Sequence, residues 1–326
     1  MANFLNLQIM IELAPLSFAP ILKSVVWGGD KICALKGIEQ PEPNIGESWE
    51  ICGLRGNESI VLDGTYKGLT LNELIDSFGE ELLGKRVLQS QGRDFPLLIK
   101  IIDARRDLSI QVHPDDGLAK ARHGKLGKTE MWYIIDTEPG AKIMSGLARE
   151  ITPDEYVERV ANGSFEEVVA MHESKPGDTF YIPAGRVHAI GGGNLLAEIQ
   201  QSSDVTYRIY DYGRLDSNGR PRELHVEQAK DAIDYKVYPS YKEAPADNRE
   251  LVKCDKFTVS RIDVLGNEPI PLDEGSFTVA TCIRGRAVLR FPMGAKVVGA
   301  GHSVLIPAAL QDVSALGRAT ILLAHA

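Results

Sequence analysis

Two histidines, a glutamate and a glutamine stand where strands and tight turns would hold them as metal ligands. The run Gly177-Asp-Thr-Phe-Tyr-Ile-Pro183-Ala-Gly185-Arg-Val-His188 predicts a strand, a sharp reversal and a histidine opening the next strand. Thr179 to Ile182 are strand formers, Pro183 ends the ladder, and Gly185 permits the turn. Upstream, Gln111-Val-His113 puts two side chains on one strand face, because strand side chains repeat every two residues. Glu130 opens a third strand, Met131–Ile135.

Two imidazoles, one carboxylate and one amide oxygen could together hold a divalent metal. The set contains nitrogen and oxygen donors and no thiolate. Zinc accepts such ligands with positions left open, and Mn, Co or Fe are also admitted. Taken singly, each of these residues has a plainer reading. A lone histidine in a β protein is usually packed or at the surface, and Glu130 alone could be a strand-edge charge. The spacing across two motifs is what favours ligation.

The elements that must position these residues are mostly short strands. Clear candidates are Ser48–Cys52, Leu97–Ile102, Leu108–Val112, Met131–Ile135, Lys142–Ser145, Asp178–Ile182 and Asn194–Gln200, separated by turn residues, a pattern of sandwiches and barrels. Two segments read as inserted helices. Leu69–Phe78 carries Thr70 and Glu73 as a capping box, and Thr152–Ala161 has Thr152 as N-cap and Pro153 behind it. A further short helix is expected at Ser164–Val169. Gly191-Gly-Gly193 reads as a hairpin turn, since it lacks the Lys-Ser/Thr of a phosphate-binding loop.

Beyond Ala232 the composition changes. Tyr235–Ala246 reads as a linker, and Phe257–Val264, Thr278–Ile283, Ala287–Phe291 and Val304–Ile306 as strands of a second, smaller β domain. The expected boundary divides residues 1–236 from 237–326. Gly301-His-Ser-Val-Leu-Ile-Pro307 repeats the spacing of Gly177 to Pro183, with Asp312 where the first copy has His188. A metal site is therefore expected only in the first copy, and His302 and His325 are read as ordinary histidines. His123 and His172 are given no role.

A chain of 326 residues with 44% hydrophobic and 25% charged residues has the composition of a globular protein with a large core. A net charge of -9 argues against a nucleic-acid partner. Cys33, Cys52, Cys254 and Cys282 have no CxxC spacing and read as reduced thiols. The apolar run Phe4–Pro20 lacks a basic leader and is broken by Gln8, Glu12 and Pro15, so neither a signal peptide nor a membrane span is expected. A cytoplasmic location follows.

The run Gly177 to His188 fits the second cupin motif, G-x5-P-x-G-x2-H. With Gln111-Val-His113 and a delayed Glu130, the chain resembles the type I phosphomannose isomerases (mannose-6-phosphate isomerases). Trp27-Gly-Gly29, Gly46-Glu-Ser-Trp-Glu50, Pro96-Leu-Leu-Ile-Lys100, Leu108–Asp115, Lys128-Thr-Glu-Met-Trp132 and Ser203–Arg208 support the match. It covers roughly residues 20–235, in a short form without the large helical domain of longer relatives. The resemblance implies a mainly β fold: a cupin, or jelly-roll, β-sandwich with small helical insertions and a second, degenerate jelly-roll domain.

It further implies an aldose–ketose isomerase that interconverts mannose 6-phosphate and fructose 6-phosphate through a cis-enediol(ate). One Zn²⁺ per chain would be held by Gln111, His113, Glu130 and His188, and other divalent metals are possible. Lys128 and Arg208 would line the site as catalytic groups, with Asp204 and Glu198 as further candidates. Ser109, two residues before Gln111, and Lys100 would meet the phosphate, with Arg186 or Arg208 assisting. The partner is a small sugar phosphate, not nucleic acid or membrane, and the chain a monomer or homodimer. Two competing readings are another cupin metalloenzyme and a sugar-binding cupin module. The Gln-x-His arrangement departs from the two-histidine, one-carboxylate triad of iron oxygenases. No helix-turn-helix is visible to serve a regulator.

Overall fold

The computed structural model describes residues 13–39, 42–215, 219–243 and 249–326. Residues 4–12 of the apolar N-terminal run and 244–246 of the expected linker lie outside the described residues.

Alternation along the strands builds a two-layer sandwich. One layer is a six-stranded antiparallel sheet in the order Ile21–Gly29, Ile45–Cys52, Leu97–Ala104, Asn194–Gln201, Glu130–Thr137, Thr179–Ile182. The other has five strands in the order Tyr207–Tyr210, Ile110–Val112, His188–Ile190, Lys142–Leu147, Val169–Glu173. The seven strands predicted for this part of the chain are present, with ends shifted by up to three residues. Gly191-Gly-Gly193 departs from the hairpin expectation. It joins His188–Ile190 to Asn194–Gln201, which lie in different sheets, so the glycines carry the chain across the sandwich.

Each strand gives its two faces to different cores. Ile110 and Val112 pack outward with Tyr156, Phe165 and Ala229, beneath helices Pro153–Asn162 and Val226–Ala232. The intervening Gln111 therefore faces the sandwich interior. Ile102, Leu196, Ile134, Ile190 and Phe180 plug one end of that interior. Along the same inward faces the residues then turn polar: Ile102 gives way to Lys100, Leu196 to Glu198 and Gln200, and Ile134 to Trp132 and Glu130. The sandwich thus has an apolar floor and a buried polar end.

Helix Leu71–Phe78 begins with Thr70, whose hydroxyl accepts from Glu73 N while Glu73 returns to Thr70 N. Thr152 caps Pro153–Asn162 in the same sense, and the third expected helix is a 3-10 turn, Phe165–Val168.

The remaining sheet has seven strands. Six come from residues 250–325, and the seventh is Leu16–Ser17, paired with Val304 and Leu305. The two expected strands 278–283 and 287–291 are one strand, Thr278–Phe291, with a register shift between Cys282 and Arg284. Gly177 and Gly301 adopt φ of 94° and 81°, and each precedes a strand that ends at a proline. Leu71, Leu74, Ile75, Leu82 and Leu83 share a core with Phe277, Val279, Leu305 and Leu322. The inserted helices therefore join the sandwich to the C-terminal sheet. Cys33, Cys52 and Cys282 are buried and unpaired, and Cys254 is half-buried and unpaired.

Candidate metal and sugar-phosphate site

A single row crosses the five-stranded sheet at its polar end. Arg208 is opposite Gln111, Gln111 opposite His188, and His188 opposite Ser145. Residues directly opposite share a face, so this row looks into the sandwich. The facing layer supplies Lys100, Glu198 and Trp132 in one row and Glu130 and Gln200 in another.

The two histidines are oriented from behind. His113 Nδ1 meets Val205 O at 2.9 Å, and His188 Nδ1 meets Arg186 O at 2.8 Å. A carbonyl only accepts, so each Nδ1 donates, and each Nε2 keeps its lone pair for the interior. The Nε2 atoms lie 3.5 and 3.4 Å from Glu130 Oε2 and Oε1. Ligand atoms of His113, Glu130 and His188 all fall within 4.8 Å of one another, and all three residues are buried. Gln111 Nε2 is 3.3 Å from His188 Nε2, which places its amide at the same point. Among the described residues Glu130 Oε1 is buried without a hydrogen-bond partner. An orphaned carboxylate oxygen facing the His188 lone pair costs free energy unless a cation or proton satisfies it. The donor set therefore fits a divalent metal.

Burial pushes the His188 imidazole down to about 3 and holds His113 well below its ordinary value, with the Lys128 charge acting in the same direction. Both rings are neutral near pH 7, as ligands must be. Burial pushes the Glu130 carboxyl up, against the pull of Lys128.

Lys128 precedes strand Glu130–Thr137 yet reaches the same point. Its Nζ lies 2.6 Å from Glu130 Oε2 and 2.9 Å from His113 Nε2. Lys100 Nζ donates to Glu198 Oε1 at 2.9 Å and lies 3.6 Å from Glu47 Oε2. Glu198 also accepts from Trp132 Nε1 at 2.9 Å. Burial opposes charge on Glu198, but Lys100 and Lys128 outweigh it and hold the carboxyl down to about 2. Ser109 is buried at the start of the Gln111 strand. Arg208 is half-buried; its Nη1 donates to Glu223 O, and its Nε has no partner among the described residues.

Other candidates lie elsewhere. Asp204 pairs with Lys125 at 2.6 Å, half exposed. Arg186 donates to Tyr181 O and lies over the rings of Tyr238 and Tyr241. His172 meets Ser145 O, and His123 meets the Tyr207 hydroxyl. Sequence reasoning gave no role to Glu47, Trp49 or Gln200. The parity of Glu47 and Trp49 on one strand was the available signal. Trp49 Nε1 donates to Glu47, and its ring lies beneath Lys23 and Lys100.

Residues 16–157 match the family model for the phosphomannose isomerase type I catalytic domain, and residues 247–326 that for the mannose-6-phosphate isomerase cupin domain. Among curated proteins of Bacillus subtilis (strain 168), the putative mannose-6-phosphate isomerase YvyI is 37% identical over 320 residues, 96% of this chain and 99% of its own. Mannose-6-phosphate isomerase ManA is 36% identical over 318 residues, covering 95% and 98%. A crystal structure of mannose 6-phosphate isomerase from Bacillus subtilis superposes with a TM-score of 0.87 at 34% identity, over 96% of this chain and 100% of the other. The structure of a putative mannosephosphate isomerase from Archaeoglobus fulgidus gives 0.82 at 24% identity, covering 97% and 98%, a likeness of fold.

Proposed function

This chain belongs to the type I phosphomannose isomerase family, and we propose that the buried polar end of its sandwich is where mannose 6-phosphate and fructose 6-phosphate are interconverted. The reaction is an aldose–ketose isomerisation. It moves one proton between C1 and C2 of the sugar through a cis-enediol(ate). The carrying observation is the convergence of His113, Glu130 and His188, with Glu130 Oε1 left unpartnered.

In this reading Gln111, His113, Glu130 and His188 hold one divalent ion per chain, and zinc suits their nitrogen and oxygen donors. Such an ion would supply Lewis-acid stabilisation of the negative charge that develops in the reaction. Every other task falls to the protein. Lys128, whose Nζ stands beside Glu130 Oε2 and His113 Nε2, is the group placed to carry the migrating proton. Arg208 keeps its charge and offers its unpartnered Nε–H to the enediolate oxygens. Lys100 has three N–H donors; Glu198 takes one, and Glu47 lies 3.6 Å away as an ion-pair partner, which leaves N–H for a substrate oxygen. Ser109 adds a hydroxyl on the Gln111 face, and together these two take the phosphate end. The apolar floor of Ile102, Ile134, Ile190 and Leu196 keeps bulk water from the enediol(ate).

Four unpaired cysteines favour a cytoplasmic setting. Among the described residues no helix is long and apolar enough to cross a membrane. We place the catalytic unit in residues 1–236 and the smaller β unit in 237–326, acting as a monomer or homodimer. Sheet membership supports that division, with Leu16–Ser17 crossing it.

The test is a coupled assay of fructose 6-phosphate formed from mannose 6-phosphate, with EDTA and then zinc. Turnover lost to the chelator and restored by zinc is expected. A folded, metal-replete chain without turnover would move the reading to another sugar phosphate.

A further inference from the structure

Strand Tyr207–Tyr210 is the edge of the five-stranded sheet, and an edge residue has no neighbouring strand to fix its backbone. Arg208 is nevertheless held on that side. Its N–H donates to the Nδ1 of His225 at 3.2 Å, and its carbonyl accepts from the N–H of His225 at 2.7 Å. The imidazole nitrogen stands where a neighbouring strand would place a carbonyl. Both backbone groups of Arg208 are thus turned away from Gln111. The Arg208–Gln111 pair is then of the non-hydrogen-bonded kind, in which side chains approach more closely. Glu223 O, two residues before His225, takes the guanidinium Nη1 at 3.0 Å.

Among the described residues the His225 side chain makes no hydrogen bond other than that with Arg208 N. It is the N-cap of helix Val226–Ala232, yet its side chain makes no cap hydrogen bond. Serine, threonine, asparagine or aspartate would be the usual choice there. The ring instead turns to Arg208 and packs on Tyr207, 6.2 Å between centroids. Tyr207 is itself braced by His123 Nε2 on its hydroxyl at 2.8 Å. An accepting Nδ1 requires a neutral ring. Burial keeps the imidazole below its ordinary value, with the Arg208 and His123 charges in the same direction and Glu223 opposing.

We infer that His225 is a positioning residue of the isomerase, fixing Arg208 in the row with Gln111 and His188 by standing in for the missing strand. The inference rests on the catalytic role proposed for Arg208, and the test separates the two. His225→Leu keeps apolar bulk and removes the acceptor. His225→Asn restores an acceptor, because its amide oxygen reaches roughly where Nδ1 lies. Each is made alone, and the Leu variant also on an Arg208→Ala background. Steady-state kcat and KM for mannose 6-phosphate are measured, with circular dichroism and bound metal as checks.

The expected result is a kcat about tenfold lower in His225→Leu, the scale of one backbone hydrogen bond, with metal content and KM little changed. His225→Asn should recover most of that loss, and the Leu variant should lose nothing more once Arg208 is alanine. A His225→Leu kcat within about twofold of the parent, or the same proportional loss on the Arg208→Ala background, would overturn the inference. So would His225→Asn performing no better than His225→Leu. Full turnover in Arg208→Ala would instead remove the role of Arg208, and the inference with it.

Discussion

At the scale of single residues, Lys128 occupies an unusual place. Its ammonium sits between Glu130 Oε2 and His113 Nε2, two of the atoms that would bind the metal. It is thus the cation that balances Glu130 in this structure, and a dication arriving there must displace it from His113 against charge repulsion. Lys128→Met removes that competitor. It is expected to bind zinc more tightly, by up to about tenfold, while turnover falls by about a hundredfold or more through loss of the proton carrier. Competition with a chromophoric chelator reads the first effect and the coupled assay the second; weaker zinc binding would show that Lys128 supports Glu130 rather than opposing the ion. His188→Ala makes the complementary case. It removes one lone pair and the Nδ1 bond to Arg186 O. Metal affinity should fall by at least about a hundredfold, more than is lost when an outer-shell partner is removed. Full metal occupancy in that variant would remove His188 from the ligand set.

At the scale of elements, the turn before His188 does more than reverse the chain. Gly185 donates its N–H to His113 O, accepts from Asp234 N, and has φ of 90°. A Cβ there would lie 3.1 Å from Ala232 O. Gly185→Ala combines left-handed strain with a close backbone contact, and should cost about 1–3 kcal/mol. Thermal unfolding should shift downward by several degrees, and the shift should be larger with metal present, because the turn holds both histidines. An unchanged midpoint would show that the turn relaxes without cost. This turn was legible in the sequence because Pro-x-Gly has a fixed meaning in φ/ψ. The inward parity of Ser109, Gln111 and His113 was legible for a similar reason: a period of two leaves only two faces. Helix Leu71–Phe78 announced itself through Thr70 and Glu73. What could not be read is whatever depends on packing between distant segments. Helix Asp116–His123 has a polar composition, and strand Ser314–His325 begins with the small residues Ser314, Ala315, Gly317 and Ala319; neither shows a clear period. The glycines 191–193 looked like a hairpin because local sequence does not say to which sheet the next strand belongs. Lys128 lies outside the strand on which its face was to be judged, and its place is set by the loop bond from its own N–H to Pro114 O.

At the scale of the whole molecule, the question is what ties the sandwich to the C-terminal sheet. Apolar contact supplies much of it: Phe95 and Phe277 stack at 4.6 Å, and Phe277 N donates to Leu83 O. A charged tie crosses the same junction. Lys36, the last residue of helix Lys31–Lys36, pairs with Glu50 Oε1 at 2.7 Å, and the two side chains are 0% and 3% exposed. The same ammonium donates to the carbonyl of Gly301 in the C-terminal unit. Glu50 in turn accepts from Ser48 Oγ. A buried ion pair of this kind need not stabilise relative to an apolar pair, but removing one partner leaves an uncompensated charge. Glu50→Gln should therefore destabilise the chain by about 3–5 kcal/mol, whereas the double variant Lys36→Met with Glu50→Leu should lose far less. Urea unfolding measures both. Because Lys36 also holds Gly301, the single variant should loosen the C-terminal sheet first, giving earlier amide exchange in strands His302–Ile306 and Thr278–Phe291 than in the sandwich. Metal content should stay unchanged, since none of the ligands touches this pair. Equal losses in the single and double variants would mean that the ammonium is satisfied by Gly301 and Glu50 is dispensable to it. Simultaneous loss of the sandwich and the C-terminal sheet would mean that the inserted helices weld them into one cooperative unit.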